Sequence, residues 1–313
     1  MFRNIVWLLS AGLLMTGCIR EDISSCPPVT NVTLMFRYSD KDGVDRFQDK
    51  HDVVDIAVFD PAGRCVYNRT IDRGELADFQ GHRFFLPPGD YRAVCWGNVS
   101  EHAQLSPLRS GEAFADSYLT LETGAAKRTT DQVMYAPRPA AMSRGLETGD
   151  VFRIRVPEEG QVQETMDFVS AYTEFKIQVR GLVDADAGTN VAPQVELTEL
   201  PVSYDFAMNA RSARESYAAA TEYVSTAKGP EARAHFYTGN FEADAPIVVR
   251  LFSRVDGRPL KDVPLAPYLL ANAPDFSTML ERSVTVLVEF EGKDAKVTVT
   301  VSPWIGTGVH PIL

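Results

Sequence analysis

The residues best suited to covalent chemistry are the four cysteines, at positions 18, 26, 65 and 95, because a thiolate is both a nucleophile and a metal ligand. Cys18 stands apart. It follows a leader in which Arg3 supplies a positive start, Ile5 to Met15 an apolar run and Thr16-Gly17 two small residues. That is the pattern of a signal peptide, residues 1–17, removed at its end. The run falls short of the roughly 20 apolar residues of a permanent span. The remaining three cysteines are an odd number. One disulfide among Cys26, Cys65 and Cys95 is permitted in an oxidising compartment, with one thiol left over. Buried free thiols are the competing reading, because Cys65 and Cys95 each sit inside an apolar, strand-like run. No CxxC pair occurs, so a thiolate zinc site has no support.

The other chemistry-bearing residues assemble into nothing catalytic. His51, His82, His102, His235 and His310 show neither HExxH nor HxH spacing, and scattered surface positions account for them better than a metal centre. There is no GxSxG elbow and no glycine-rich phosphate loop. Asp40-Lys41-Asp42-Gly43-Val44-Asp45 sets three carboxylates around a glycine turn, as part of a calcium loop would. It lacks the later bidentate Glu of an EF-hand, and a solvated acidic loop is the plainer reading. Glu158-Glu159, and Glu289 with Glu291, lie beside turns and make no acid/base pair. Trp96 and Trp304 sit on or beside strands, serving either as core or as a platform for a glycan. Neither an enzyme nor a cofactor or metal site is expected.

Met15-Thr16-Gly17-Cys18 resembles the lipobox of bacterial lipoproteins, with Met15 where Leu is more usual. The resemblance implies that the Cys18 thiol is acylated, and that the amino group exposed by cleavage is acylated with a chain such as palmitate. One chain holds a protein marginally, whereas two or more hold it stably at about 0.8 kcal/mol per buried methylene. Residues 18–28 then form a lipidated tether, and everything beyond lies outside the cytoplasm. Arg20-Glu21-Asp22 resembles the basic-then-acidic tag that sends lipoproteins of Bacteroidetes to the cell surface; a charged, flexible tether is the alternative. The net charge is −11, and loss of Arg3 with the leader makes it about one unit more acidic. Such a surface repels nucleic acid and anionic headgroups, so lipid must supply the membrane contact.

Strand signals run along the rest of the chain. Val32, Leu34, Phe36 and Tyr38 alternate with Thr33, Met35 and Arg37, as in a half-buried strand. Val53–Phe59 and Cys65–Ile71 flank the turn Asp60-Pro61-Ala62-Gly63, a hairpin. Arg83–Leu86, Pro87-Pro88-Gly89-Asp90 and Tyr91–Trp96 read as strand, turn, strand. Phe152, Ile154 and Val156 alternate with Arg153 and Arg155 before Pro157-Glu158-Glu159-Gly160 breaks the pattern, and the boundary between two domains, 29–158 and 159–313, is placed there. Phe175, Ile177 and Val179 alternate with Lys176, Gln178 and Arg180, and Pro246–Phe252 is another apolar run. Ser283–Phe290 and Ala295–Val301 flank Glu291-Gly292-Lys293-Asp294, the strongest hairpin signal, with Val297, Val299 and Val301 toward the core and Thr298 and Thr300 outside. Only Ala210–Ala227 looks helical, weakly, and a mobile loop is an equal reading. Many short strands with Pro and Gly turns predict two tandem antiparallel β-sandwiches.

Several of these segments together resemble one known family. A lipobox cysteine, Cys26-Pro27, a hydrophobic strand, Val54-Asp55-Ile56-Ala57-Val58-Phe59-Asp60 with its Gly63 turn, Leu86-Pro87-Pro88-Gly89-Asp90-Tyr91 and Trp96-Gly97-Asn98 are similar to the fimbrillin-associated fimbrial anchor subunits of Bacteroidetes. The specific signature covers residues 18–98. The resemblance implies two transthyretin-like sandwiches and a membrane-proximal subunit that tethers a fimbrium at the outer membrane and limits its length. It also implies partners among shaft pilins and accessory subunits, bound by β-strand addition, for which an unpaired sheet edge is a natural template. A tip or stalk pilin and a surface glycan-binding lipoprotein are the alternatives, the latter calling for exposed aromatics at loop tips.

Overall fold

The computed structural model describes residues 30–39, 43–99, 103–105, 111–114, 118–121, 135–137, 152–182, 192–206, 209–273, 276, 279, 281–292 and 294–302. The chain is all-β, as its alternating Val, Ile, Thr and Tyr dictate. The first group of strands is β1 (Val32–Arg37), β2 (Val53–Phe59), β3 (Cys65–Asp72), β4 (Gly81–Phe84), β5 (Gly89–Gly97), β6 (Ala103–Leu105), β7 (Tyr118–Leu121), β8 (Tyr135–Pro137), β9 (Phe152–Val156) and β10 (Val162–Ser170). Two short helices, α1 (Phe47–Lys50) and α2 (Arg73–Asp78), lie among them. Eight strands join in one sheet of order β3-β2-β5-β8-β10-β1-β4, with β9 paired to β5.

The fold line of this sheet is β10. Its Val162–Asp167 stretch pairs in parallel with β1, while Phe168–Ser170 pairs with β8. The two wings therefore face each other over one core. Val32, Leu34 and Phe36 of β1 and Met166 and Phe168 of β10 meet Val54, Ile56 and Val58 of β2 and Ala93 and Cys95 of β5. Each such aliphatic side chain stabilises the fold by about 1.5–3 kcal/mol when it leaves water. Side chains close the roll: Tyr67 of β3 stacks on Phe84 of β4 at 4.6 Å, and its hydroxyl lies 2.6 Å from Nε2 of His82.

The second group is β11 (Tyr172–Arg180), β12 (Gln194–Pro201), β13 (Ser203–Asp205), β14 (Arg214–Ala219), β15 (Glu222–Thr226), β16 (Gly229–Gly239), β17 (Val248–Phe252), β18 (Pro259–Pro264), β19 (Arg282–Glu291) and β20 (Asp294–Ser302), with α3 (Ala266–Asn272) before β19. A five-stranded sheet, β15-β16-β11-β19-β20, stacks on a four-stranded one, β14-β12-β17-β18. Phe175, Ile177, Val179, Phe236, Val284, Val286 and Val288 from the first meet Val195, Leu197, Val249 and Leu251 from the second. Leu269 of α3 joins this core, and the helix packs beside β20. Among the described residues no helix is long and apolar enough to cross a membrane.

A third core joins the two groups. β13 leaves the second group to pair with β7 of the first, in a small sheet of order β13-β7-β6. That sheet covers the outer face of β2 and β5, so Ala57, Phe59, Cys65, Val94 and Trp96 pack with Leu119, Tyr204 and Phe206. The Tyr204 hydroxyl donates to the Asn240 carbonyl at 2.8 Å. Gly239 permits this approach, since a Cβ there would stand 2.2 Å from the Tyr204 oxygen. Beside it the buried Tyr38 hydroxyl donates to Glu281, again from the first group to the second.

Four expectations need correction or refinement. Ala210–Ala227 is neither helix nor loop but contains β14 and β15. There the core row is Tyr217 and Ala219, and alanine's small side chain hides a period of two behind helix propensity. Arg83–Leu86 and Tyr91–Trp96 do contain strands, but β4 pairs with β1 while β5 pairs with β2, so the prolines between them carry the chain from one wing to the other. The ladders are not antiparallel throughout, since β1–β10 and β11–β19 run parallel. The strand after the Pro157–Gly160 turn still pairs with β1 and β8, so sheet membership changes at Ala171.

Candidate functional site

Cys18, Arg20, Glu21, Asp22, Cys26 and Trp304 lie outside the described residues, as do His102 and His310. Cys65 and Cys95 are free and buried. Burial pushes both thiols up, Cys95 furthest, which leaves neither as a ready nucleophile. Of the acidic loop, Asp40 and Asp42 fall outside the described residues. Asp45 braces a turn: its Oδ1 accepts from the backbone N–H groups of Tyr38 and Phe47 at 3.1 and 3.0 Å, and its Oδ2 accepts from the Gln80 amide at 2.8 Å. Among the described residues no three metal-ligating side chains cluster.

Two histidines are not at the surface. His51 is 1% exposed, its ring stacked on Phe47 at 4.2 Å and 9°. Burial lowers its pKa to about 3, against the opposing pull of the Phe47 carbonyl and Asp45. His82 is buried against Tyr67 and Phe84, and burial lowers its pKa also. An imidazole with an aromatic neighbour packs as a flat apolar body, which spacing rules for metal ligands do not detect. His235 is surface-facing, with Nε2 2.8 Å from Oε1 of the buried Glu174. Trp96 belongs to the third core and is no platform.

The conspicuous sequence motifs turn out to be turn and clamp devices. Asp60 accepts the Arg64 N–H at 2.8 Å on Oδ1, and Gly63 adopts φ 79° to complete that turn. Asn31 imitates a strand residue, donating to the Leu86 carbonyl at 2.7 Å and accepting its N–H at 3.0 Å. Tyr91 reaches back to the Pro87 carbonyl at 2.9 Å. Asn98 is left-handed at φ 54°; its Oδ1 accepts from Asp52 and Val53, and its Nδ2 donates to the Lys50 carbonyl at 2.6 Å.

What remains chemically unfulfilled is backbone at sheet edges. Among the described residues β14, β18, β15 and β20 end the two sheets of the second group, and β3 and β4 end the first. Each terminal strand presents a row of N–H and C=O groups on its outer side, which can be satisfied by water or by another strand. An edge is thus the place where this all-β surface can recognise an extended peptide.

The family of fimbrillin-A associated anchor proteins Mfa1 and Mfa2 matches residues 23–307, nearly the whole chain. The chain belongs to that family. Anchor-family membership makes it a fimbrial anchor or assembly protein, associated with the cell-surface fimbrium and with other fimbrial subunits. Among solved structures it is similar to the fimbrial anchor protein Mfa2 of Porphyromonas gingivalis, at 13% identity and a TM-score of 0.65, over 88% of this chain and 97% of that one. A candidate polysaccharide-binding protein of Bacteroides thetaiotaomicron matches at 15% identity and a TM-score of 0.69, over 89% and 99%. A candidate adhesin of Bacteroides ovatus matches at 13% and 0.67, over 88% and 94%. At such identities the likeness is one of fold. No curated protein sequence matches the chain.

Proposed function

We propose that the chain is an outer-membrane lipoprotein that anchors a fimbrium to the cell surface and limits its length. It is held by acyl chains on Cys18 and binds the shaft subunit by strand addition, as a structural protein without catalysis. The observation that carries this reading is the anchor-family match across residues 23–307. The open sheet edges of an all-β fold support the mode of binding. In this reading residues 1–17 are removed, residues 18–28 are the tether, and Arg20-Glu21-Asp22 directs export to the outer face. The two domains expected at 29–158 and 159–313 are proposed to meet instead at Ala171, where sheet membership changes.

The test is Cys18→Ala in cells that carry the fimbrium. The expected outcome is loss of this protein from the outer membrane and release of fimbriae into the medium. Fimbriae that stay on the cells would count against the anchor. Detergent extraction with mass spectrometry complements it: a ladder of pilins should accompany an acylated N-terminus, whereas a solitary protein that retains polysaccharide would favour glycan binding.

A further inference from the structure

We infer that the outer edge of β20 is the seat for the incoming strand, and that this strand is uncharged, with small or β-branched residues at alternate positions. The inference rests on the reading above, that another fimbrial subunit binds by strand addition; it adds which edge and what chemistry.

The other edges are guarded. β3 and β4 are joined across the roll by Tyr67, His82 and Phe84. The start of β3 is further taken up by the 111–114 segment, through Cys65 N–H to the Glu112 carbonyl and Gly111 N–H to the Cys65 carbonyl, both at 2.8 Å. β9, paired only with β5, carries the exposed Arg153 and Arg155. β14 faces a register shift between Leu197 and Leu200. β18 begins at Pro259, ends at Pro264 and carries Lys261. β15 has five residues, and β13 and β6 have three each. Short length, proline, bulges and edge cations are the usual ways of blunting an edge.

β20 has almost none of these. It runs nine residues, Asp294–Ser302, in unbroken antiparallel register with β19, from Glu291↔Asp294 to Ser283↔Ser302. It holds no proline and a single cation, Lys296, near one end. Its inward row, Ala295, Val297, Val299 and Val301, packs on the second core, yet only Val299 is fully buried. Even with α3 packed beside β20, Ala295, Val297 and Val301 stay only half-buried, and another strand with apolar residues in the same row would extend their cover. Its outward row begins with Asp294 and Lys296 and ends in the uncharged Thr298, Thr300 and Ser302, side chains that favour hydroxyl or β-branched cross-strand partners. A second copy of this chain is the poorer occupant, because each molecule carries a net charge of −11.

The test uses fimbriated cells in a Cys26→Ser background, since Cys65 and Cys95 are buried. Thr298→Cys, Thr300→Cys and, on the β3 edge, Asn68→Cys are labelled with a thiol-reactive benzophenone and irradiated, and adducts are identified by mass spectrometry. The expected result is an adduct to a shaft or accessory subunit at 298 and 300 and none at 68. An adduct at 68 alone, or one joining two copies of this chain through 298, would overturn the assignment. Absence of any adduct while pilins still co-purify would overturn the β20 seat and leave the anchor standing. Absence of both would remove the anchor reading with it.

Discussion

With its ring stacked on Phe47 and sealed from solvent, His51 is held neutral in the folded protein, its pKa lowered to about 3. In the unfolded chain the same ring protonates near its ordinary 6.5. The unfolded state therefore binds more protons between those values, and stability present above pH 6.5 is lost as pH falls toward about 3. Each pH unit in that window removes up to about 1.4 kcal/mol. Glu174 acts in the same direction but lower. Burial raises its pKa, and bonds from His235, Lys176 and Ser283 outweigh that to bring it down to about 2 from 4.5. The interval from pH 6.5 to about 5 thus isolates the histidines. Urea midpoints over that interval should fall for the natural protein and fall less for His51→Phe; parallel curves would refute the coupling. This burial is invisible in the sequence, because nothing local marks a ring that stacks on the residue four before it.

At the scale of elements, alternation was legible wherever a strand has one dry face. Val32, Leu34, Phe36 and Tyr38 are all buried, as are Phe175, Ile177 and Val179, and the β19–β20 hairpin forms with Gly292 at φ 68° in its turn. Legibility failed where side chains are small, as in β14. It also failed where pairing is remote, since β1 finds β10 over a hundred residues away and local pattern carries no record of partner or direction. The capping box of α2, Asp72 with Glu75, is by contrast a purely local signal. The clearest case of a motif explained by its element is Asn98. It ties the end of β5 to the end of α1 and the start of β2 through three side-chain bonds, in a left-handed conformation. Asn98→Ala should cost about 2–4 kcal/mol, from lost bonds to backbone and from strain at positive φ. Asn98→Gly should be milder by about 1 kcal/mol because only the bonds are lost. Equilibrium unfolding of the two variants checks the order; equal costs would leave the backbone conformation without a role.

Taken whole, the molecule is two cores pinned by a third, and the pin contains Trp96, Tyr204 and Phe206. Among the described residues no metal-ligating side chains cluster, and in the proposed reading recognition falls to the backbone edges of the sheets.

The direction of one ladder has a mechanical meaning. In the proposed reading, a tether at the N-terminus would pull on the Val32 end of β1, while the rest of the molecule would hang from the Ser170 end of β10, which continues through Ala171 into β11. Because β1 and β10 run parallel, these pulls are opposed along neighbouring strands, and the six pairs from Val32↔Val162 to Arg37↔Asp167 are sheared together rather than peeled one by one. The Arg37 guanidinium, bonded to the Asp167 carboxylate at 2.5 and 2.9 Å, closes the far end of that ladder. Single-molecule extension between residue 30 and residue 180 should register one abrupt rupture, and a staircase of small ones would mean that the strands part by peeling. A fimbrium dragged by flow would then strain its base where the chain first enters the fold, against bonds that can yield only all at once.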